Sequence, residues 1–470
     1  MRTRDQYLDS LRARRPELWV DGQRVDDPVD HPKLRPSIEA VAATYALAHD
    51  ERYRALATAH SELVDGPVNR FTHLFRSPDD LLHKIALQRV LGRITGTCFQ
   101  RCVGMDGINA TFIATAAVSP ARHARFVDWL RGVQQRDEML CGAMTDAKGD
   151  RSKRPLAQPD AFLRVVERRR DGIVIRGAKL HQTGAANAHQ ILVMPGQGYR
   201  PGEEAFAVAC AVPVDAAGVV MVLGRQPSDD RRGGPDAGNP TYGGQEVLVW
   251  FDDVYVPHER VFLDGELGPA NALLEAFAGY HRASYGGCKP GNLDVLIGAS
   301  AALAEEHGVR QAPHVRDKLV EMVHLTETIH GLGLAASGKS THTATVPGDP
   351  GVWQVDPVLA NVCKHTVTRL PYEIVRLAED LAGGLLGSMP SLADLDHPRI
   401  GEIVRTVVGS EARGKLLRLV EWMTTGSGSV PLRIECMHGA GSPQAQRVVL
   451  ERATDWAERI ALARSLAGLD

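Results

Sequence analysis

Past its midpoint the chain reads His281-Arg282-Ala283-Ser284-Tyr285-Gly286-Gly287-Cys288-Lys289. This stretch places an imidazole, a phenol, a thiol and an amine within nine residues. The two glycines before the cysteine permit a close approach of the backbone to a bulky ligand. A soft sulfur near an imidazole suits a transition metal or an iron–sulfur cluster. Taken alone, however, the stretch favours a glycine-rich turn with a core cysteine. Only motifs elsewhere in the chain can distinguish this turn from a metal or cluster site.

The bulk composition is that of a globular protein with a sizeable core. The chain has 470 residues, of which 44% are hydrophobic and 24% charged, and its net charge of −3 gives no reason to expect a nucleic-acid surface. The seven cysteines are odd in number and scattered, which favours buried thiols or metal ligands over a disulfide framework. We find no signal peptide and no apolar run long enough to span a membrane, so we expect a cytoplasmic protein.

The order of sequence patterns predicts three domains. Residues 1–139 should form an N-terminal helical domain, residues 140–265 a β-rich domain and residues 266–470 a C-terminal helical domain. The β-rich pattern includes a hairpin signal, in which Asp171-Gly172 separates two β-prone runs. In the first domain, Ser77-Pro78-Asp79-Asp80 is a helix start, and apolar periodicity predicts a helix from there to about Gly104.

Two cysteines near the end of that predicted helix form the first candidate constellation. If the helix continues, Cys98 and Cys102 face the same side, one turn apart. Together with His281 and Cys288 they would make four ligands, although a Cys3His set could equally bind zinc. Taken alone, the Cys-x3-Cys spacing favours two small residues on a buried helix face.

Two further segments offer polar groups around glycines. Met144 to Ser152, with His181 to Ala185 further on, could bind a phosphate or the edge of an isoalloxazine ring, but surface turns explain the same residues. His438 to Arg447 runs from a glycine-rich loop into a predicted helix N-terminus, which is an anion site or simply a capped helix start. Glu435, just before that loop, could act as a base or an acid.

Taken together, these motifs resemble the 4-hydroxybutyryl-CoA dehydratase (vinylacetyl-CoA isomerase) family, within the wider family of 4-hydroxyphenylacetate 3-monooxygenase oxygenase components. The similarity runs from about residue 3 to residue 467. The His-x6-Cys segment discriminates most between the two branches. The motifs that carry the resemblance are Cys98-x-Gln100-x-Cys102, Thr145-Asp146-x-Lys148-Gly149-Asp150-Arg151, His181-Gln182-Thr183-Gly184, Gly243-Gly244-Gln245-Glu246, Phe277 to Lys289 and His438 to Arg447.

The resemblance implies an α+β, acyl-CoA dehydrogenase-like fold with an N-terminal helical domain, a middle β-barrel domain and a C-terminal helical bundle. It also implies a flavoprotein with FAD, a [4Fe–4S] cluster and a homotetramer built as a dimer of dimers. The cluster ligands would be Cys98, Cys102, His281 and Cys288. The positions that match the family's catalytic residues are His281, Glu435, Tyr285, Glu246, Lys289, Gln100 and Thr183. The cofactor-binding positions are Thr145, Asp146, Lys148, Asp150, Arg151, Thr183, Ser442, Gln444 and Gln446.

The implied reaction removes water from a 4-hydroxyacyl thioester such as 4-hydroxybutyryl-CoA to give crotonyl-CoA, with vinylacetyl-CoA Δ-isomerisation as a second activity. Its C3 hydrogen is too weakly acidic for an ordinary base. A radical mechanism, in which the flavin accepts one electron from the enolate, makes that hydrogen acidic, and iron then helps the hydroxyl to leave. We expect His281 or Glu435 to remove protons and Tyr285 and Glu246 to assist hydroxyl departure, while Lys289 and Thr183 tune the cofactors.

Two other functions remain open at this point. A two-component flavin-dependent monooxygenase of phenolic substrates would share the fold but would leave the three cysteines without a role. A cluster-containing relative could instead act on another hydroxy acid or on a thioester bound to a carrier protein.

Overall fold

The computed structural model describes residues 1–147, 149–224 and 234–469. Its N-terminal part is mostly helical, as predicted, but it also contains short strands. Because Ser77 and Asp80 form a capping box around Pro78, the fourth helix begins where the sequence indicates. The N-terminal elements are α1 (Arg4–Arg12), β1 (Glu17–Val20), β2 (Gln23–Arg24), α2 (Arg35–Leu47), α3 (Arg54–Ala57), β3 (Thr58–Ser61), β4 (Gly66–Asn69), α4 (Pro78–Thr95), α5 (Cys102–Val118) and α6 (Pro120–Arg136).

The predicted single helix from residue 78 to about Gly104 is wrong. Helix α4 ends at Thr95 because Gly96 adopts the left-handed conformation, with φ of 63°, and caps it. Cys98 therefore lies in a loop, while Cys102 is the first residue of α5. The two thiols are thus presented by a loop and a helix start, and not by one helix face.

The middle of the chain is β-rich, as predicted, and the Asp171-Gly172 hairpin is confirmed, with strands on either side paired antiparallel. The first two strands of the chain join the same sheet, because β1 pairs in parallel with a middle strand through Leu18 and Met221. The middle strands are β5 (Leu140–Ala143), β6 (Arg164–Arg168), β7 (Gly172–Lys179), β8 (Gln190–Val193), β9 (Val208–Pro213), β10 (Val219–Leu223), β11 (Val247–Pro257) and β12 (Val261–Asp264).

The expected β-barrel is wrong for the described residues. The strands form two open sheets, with orders β2-β1-β10-β11-β7-β6 and β12-β9-β8-β5. Strand β2 has only two residues, both exposed, and β6 is exposed over its last three, so the edges of the larger sheet do not meet and close. Side chains from both sheets, such as Phe251 and Cys210, share one buried apolar cluster. The arrangement is two sheets packed together over a common core.

Helices return after the sheets, as the sequence predicts. Gly409 ends the helix Gly401–Val408 ahead of Glu411–Thr424, and Asp455 is the N-cap of the last helix, Trp456–Leu466. Along the described part of the chain, no helix is both long and apolar enough to cross a membrane. The C-terminal elements are α7 (Leu267–Glu306), α8 (Pro313–Gly338), β13 (Thr341–Thr343), β14 (Val352–Gln354), α9 (Pro357–Val367), α10 (Leu370–Ala382), α11 (Gly401–Val408), α12 (Glu411–Thr424), α13 (Ser429–Leu432), α14 (Ile434–His438), α15 (Pro443–Ala453) and α16 (Trp456–Leu466).

Helix α7 runs for 40 residues and contains the whole His281–Lys289 stretch. The stretch is therefore helix interior and not a glycine-rich turn. Its glycines serve helix packing, since a Cβ on Gly286 would lie only 2.5 Å from the Cα of Gly333 on α8. Pro290 cannot donate to the carbonyl of Gly286 four residues earlier, and His330 Nδ1 on α8 bonds to that oxygen instead at 2.8 Å.

Candidate active site

One face of α7 presents three of the predicted site residues. His281, Tyr285 and Cys288 are spaced by four and three residues, so their side chains lie on the same side of the helix. The rings of His281 and Tyr285 meet edge to face, with centroids 5.8 Å apart. Helical geometry alone therefore brings the imidazole, the phenol and the thiol to one surface.

The three predicted cysteine ligands are electrostatic neighbours inside the protein. Burial raises the pKa of the Cys98 thiol well above its usual range, and the negative charges of Glu435 and Cys102 raise it further. Burial also raises the pKa of the Cys102 thiol, and the negative charge of Cys288 raises it further. All three cysteines are free. Thiolates in this setting need a bound cation, because burial and mutual repulsion both oppose their charge.

The four predicted ligand positions offer three thiols and one imidazole, which are donor types that zinc and an iron–sulfur cluster both use. They come from a loop, the start of α5 and one face of α7. Within the ranges that the structure describes, no group of three or more His, Cys, Asp and Glu side chains forms a site that could hold a metal ion. The cluster therefore stays a prediction.

The sequence analysis missed Asp106, which holds His281 from α5. Asp106 is completely buried, and its Oδ2 accepts hydrogen bonds from His281 Nδ1 at 2.9 Å and from Ser284 Oγ at 3.1 Å. Lys84 on α4 donates to its other oxygen. Although burial opposes its charge, Lys84 and His281 lower the pKa of the Asp106 carboxyl. A signal was present in the sequence, since Asp106 is the one charged residue within α5.

An ion pair lies beside the phenol. Lys289 Nζ donates to Glu435 Oε2 at 2.7 Å, and Tyr285 donates its hydroxyl to the Glu435 carbonyl at 3.3 Å. Burial opposes the charge of Lys289, but Glu435 together with Cys288, Cys436 and Tyr285 outweighs it, so the pKa of Lys289 is raised. The structure thus joins three predicted residues, Glu435 from α14 and Tyr285 and Lys289 from α7, in one group.

A second carboxylate, Glu246, is held by Thr183. Thr183 Oγ1 lies 2.8 Å from both carboxylate oxygens of Glu246. Burial and the charge of Glu435 raise the pKa of Glu246 well above its usual range. A second carboxylate therefore shares the site with the Lys289–Glu435 pair, and burial favours its protonated form.

Gln100 braces the loop that carries Cys98. It adopts a left-handed backbone conformation with φ of 67°, and its Nε2 donates to the carbonyls of Ser37 and Cys98. Its Oε1 accepts from Asn187 Nδ2 at 2.9 Å. In this structure both ends of the Gln100 amide contact the protein, and its predicted catalytic role stays a prediction.

Lys364, on α9, is a second residue that the sequence analysis missed. It is fully buried, its Nζ donates to the Cys436 carbonyl, and it lies 4.6 Å from the centroid of the Tyr285 ring. Lys289 lies 5.0 Å from the same centroid. Among the described residues, no carboxylate pairs with Lys364, and burial lowers its pKa to about 8. Tyr285 therefore lies close to two buried amines.

The first predicted cofactor segment is only partly available for a ligand. Asp146 is buried and pairs with Lys179 at 2.8 Å, so it supports the sheet. Thr145 is half-buried, whereas Asp150 and Arg151 are exposed. Lys148 lies outside the described residues. The exposed members fit a solvent-facing part of a cofactor.

The second predicted cofactor segment surrounds the start of α15. Ser442 is the N-cap residue and is exposed, as is Gln444, while Gln446 is buried and donates to the Gly441 carbonyl at 3.1 Å. Arg282 lies beside this loop and donates to the Ala440 carbonyl at 3.1 Å. Arg282 also donates to Asn361 Oδ1 at 2.6 Å, so the protein itself holds this guanidinium. The cofactor role of the segment stays a prediction.

Comparisons with known proteins agree with this site. The chain belongs to the 4-hydroxyphenylacetate 3-hydroxylase family, whose N-terminal model matches residues 3–263 and whose C-terminal model matches residues 270–468. Within that family, it is 45% identical to the 4-hydroxybutyryl-CoA dehydratase/vinylacetyl-CoA-Δ-isomerase of Clostridium aminobutyricum, over 99% of both chains. An archaeal 4-hydroxybutyryl-CoA dehydratase from N. maritimus superposes with a TM-score of 0.96 at 44% identity, covering 100% of this chain and 95% of that one. The resemblance seen in the motifs is confirmed.

The same comparisons correct the expected fold class. The oxygenase component of 4-hydroxyphenylacetate 3-monooxygenase, solved with FAD, superposes over the full length of both chains with a TM-score of 0.87 at 24% identity. The fold is therefore that of the oxygenase component, and the expected acyl-CoA dehydrogenase-like fold with its β-barrel is wrong.

Proposed function

We propose that this chain is a hydro-lyase that dehydrates a 4-hydroxyacyl thioester, with 4-hydroxybutyryl-CoA as the substrate and crotonyl-CoA as the product. We further propose Δ-isomerisation of vinylacetyl-CoA, the second activity in the name of the Clostridium relative. The observation that carries the proposal is the meeting of three cysteines, Cys102 buried and Cys98 and Cys288 partly buried, with the Lys289–Glu435 ion pair. A phenol-hydroxylating monooxygenase gives these thiols no role.

We assign FAD and a [4Fe–4S] cluster to this site. The cluster ligands are Cys98, Cys102, Cys288 and His281, whose donor set and free thiols fit it. The flavin would contact Thr183, the exposed Asp150 and Arg151, and the Ser442–Gln446 segment beside Arg282. When bound, the flavin would supply one-electron redox chemistry and the cluster a Lewis-acidic iron.

Glu435 is the proton acceptor in this proposal. Its pairing with Lys289 at 2.7 Å fixes the position of the carboxylate, which can take a proton from a carbon next to the thioester carbonyl. Lys289 is almost completely buried, so its positive charge acts with little screening by water. The pair can thus accept a proton while the positive charge stays beside it.

Glu246 and Tyr285 are the proton donors for the departing hydroxyl. The raised pKa of Glu246 favours its protonated form, and Thr183 fixes its position. Burial raises the pKa of the Tyr285 phenol well above its usual range, so the phenol keeps its proton, and the nearby amines of Lys289 and Lys364 act against that rise. A proton from either group converts the departing hydroxyl into water.

We propose that the working assembly is a homotetramer, in which the C-terminal helix contacts a partner subunit. Helix α16 has no buried residue in the single chain. Its apolar side chains are largely exposed, including Leu462 at 60% and Leu466 at 92%. Such a surface is expected to be covered in solution.

Substitution of the ligands tests the proposal. Cys98→Ser, Cys102→Ser, Cys288→Ser and His281→Ala should each lower the iron content and abolish dehydration of 4-hydroxybutyryl-CoA in anaerobic assays. Cys210→Ser, which changes a buried cysteine of the β core, is the matched control and should keep both. Full iron and full turnover in all four ligand variants would end the cluster assignment.

The colour of the purified protein distinguishes the rival functions. The anaerobic protein should be brown, with iron–sulfur absorption beneath the flavin bands. A plain yellow protein would favour the monooxygenase. A brown protein that leaves 4-hydroxybutyryl-CoA unchanged would point to another acyl group or carrier, which mass spectrometry of candidate thioesters would identify.

A further inference from the structure

The carboxylate of Asp106 ties three helices together at His281. It accepts from His281 Nδ1 and Ser284 Oγ on α7, and from Lys84 on α4. Lys84 also donates to the Tyr280 carbonyl at 2.8 Å. Asp106 and Lys84 are completely or almost completely buried. The orientation of Asp106 is therefore set by two fixed donors besides the imidazole.

The hydrogen bond to Asp106 determines which imidazole nitrogen carries the proton. A carboxylate that accepts from Nδ1 requires an N–H at that atom, so in the neutral ring Nε2 keeps its lone pair. The ring plane is fixed as well, because Phe277 stacks on it with centroids 5.3 Å apart and an interplanar angle of 21°. Only Nε2 is then able to bind a metal.

We propose that Asp106 is a positioning residue, which locks His281 in the Nδ1–H tautomer and so makes Nε2 the ligand atom of the site. This inference rests on the proposed function, in which His281 binds the cluster. The proposal also gives His281 a fixed position, because any movement of the ring away from Asp106 would break a buried hydrogen bond to a charged group. Proton abstraction then belongs to Glu435 and not to the imidazole.

The effect of Asp106→Asn follows from the ammonium of Lys84. Lys84 has donors only, so the amide oxygen of the asparagine turns toward it. The amide N–H then faces His281 Nδ1 and requires a lone pair there, which moves the ring proton to Nε2. A protonated Nε2 cannot bind iron. Loss of such a supporting carboxylate weakens metal binding by about tenfold to a hundredfold.

The test compares four proteins by iron content and by the nitrogen hyperfine coupling of histidine to the cluster. Wild type and Ser284→Ala, which keeps the carboxylate and the His281 bond, should show both signals. Asp106→Asn should lose the nitrogen coupling and most of its iron. The double variant Lys84→Met/Asp106→Asn should regain the coupling, because without the ammonium the amide oxygen is free to face Nδ1.

The inference would be overturned if Asp106→Asn showed the same nitrogen hyperfine coupling as wild type. It would also be overturned if the double variant Lys84→Met/Asp106→Asn showed no nitrogen coupling. The tautomer is also measurable without iron, by ¹⁵N solid-state NMR of histidine-labelled protein as a difference against His281→Gln. If wild type lacks iron, the cluster assignment fails. The NMR spectra then still decide the inference, which is overturned if His281 has the same tautomer in wild type and Asp106→Asn.

Discussion

Replacing Lys364 with methionine should change how the stability of this protein depends on pH. Burial lowers the pKa of Lys364 from 10.5 to about 8. Between these values the unfolded chain binds a proton that the folded protein lacks. The free energy of unfolding of the wild type therefore rises as pH rises through this window, whereas the methionine variant lacks this contribution.

The magnitude follows from the shift. Burying the charged lysine costs about 3 kcal/mol at about pH 7, and this cost falls to about 2 kcal/mol at about pH 9. Lys364→Met removes the cost but leaves the Cys436 carbonyl without its donor, a loss of about 1–3 kcal/mol. The absolute difference between the two proteins is therefore small near neutrality. The sharper expectation is that wild type gains about 1 kcal/mol over the variant between these two pH values.

Urea unfolding of both proteins across this pH range, at one protein concentration and equal cofactor loading, measures the effect. Lys318→Met is the matched control, because Lys318 on α8 is partly exposed and pairs with the exposed Asp380. Its stability should follow wild type in parallel at every pH. If the free energy of unfolding of Lys364→Met also changes with pH in parallel with wild type, Lys364 is not a buried cation without a carboxylate partner. Its assigned influence on Tyr285 would then be wrong as well.

Three further predictions concern the fold and assembly. Gly286→Ala should destabilise the protein by about 1–3 kcal/mol, because the new methyl meets the backbone of Gly333 on α8. The control is Gly331→Ala, also on α8, whose methyl meets nothing within 4 Å. Equal urea midpoints for the two variants would contradict the close crossing of α7 and α8. Burial opposes the charge of Asp80, but His73 and Arg70 outweigh it and lower its pKa from 3.8 to about 2. Asp80→Asn should thus lose about 1–2 kcal/mol at neutral pH, and a difference from wild type that persists in acid below about pH 2 would refute this. Truncation after residue 454 should preserve the far-ultraviolet circular dichroism expected for the remaining helices. It should reduce the number of subunits per particle, as measured by light scattering. An unchanged number of subunits would exclude a role of α16 in assembly.

Local patterns predicted the order of the fold but not its long-range pairing. The Asp171-Gly172 turn and the helix start at Ser77 depend on neighbouring residues, so the sequence shows them directly. The end of α4 was missed because apolar periodicity continues past Gly96, whose left-handed conformation stops the helix. The parallel pairing of β1 with β10 joins residues about 200 positions apart, and no local pattern reports such a contact.

The reactive residues of the site were visible in the sequence, but their supports were not. The side chains of His281 and Cys288 suggested metal chemistry by their type alone. Asp106 and Lys364 belong to no motif, and their importance appears only when helices distant in sequence pack together. The glycines of α7 misled because a close helix crossing and a turn both require small residues.

The placement of the reactive groups along the single helix α7 restricts how related sequences can vary in length. One inserted residue between His281 and Cys288 would rotate everything beyond it by about 100° and shift it by about 1.5 Å along the axis. Cys288 would then move away from Cys98, and Lys289 would move away from Glu435. The close approach of Gly291 to α4 would also be lost. Insertions and deletions should therefore be confined to connections such as residues 344–351. A gap-free alignment over Leu267–Glu306 is a stricter criterion for shared chemistry than overall identity.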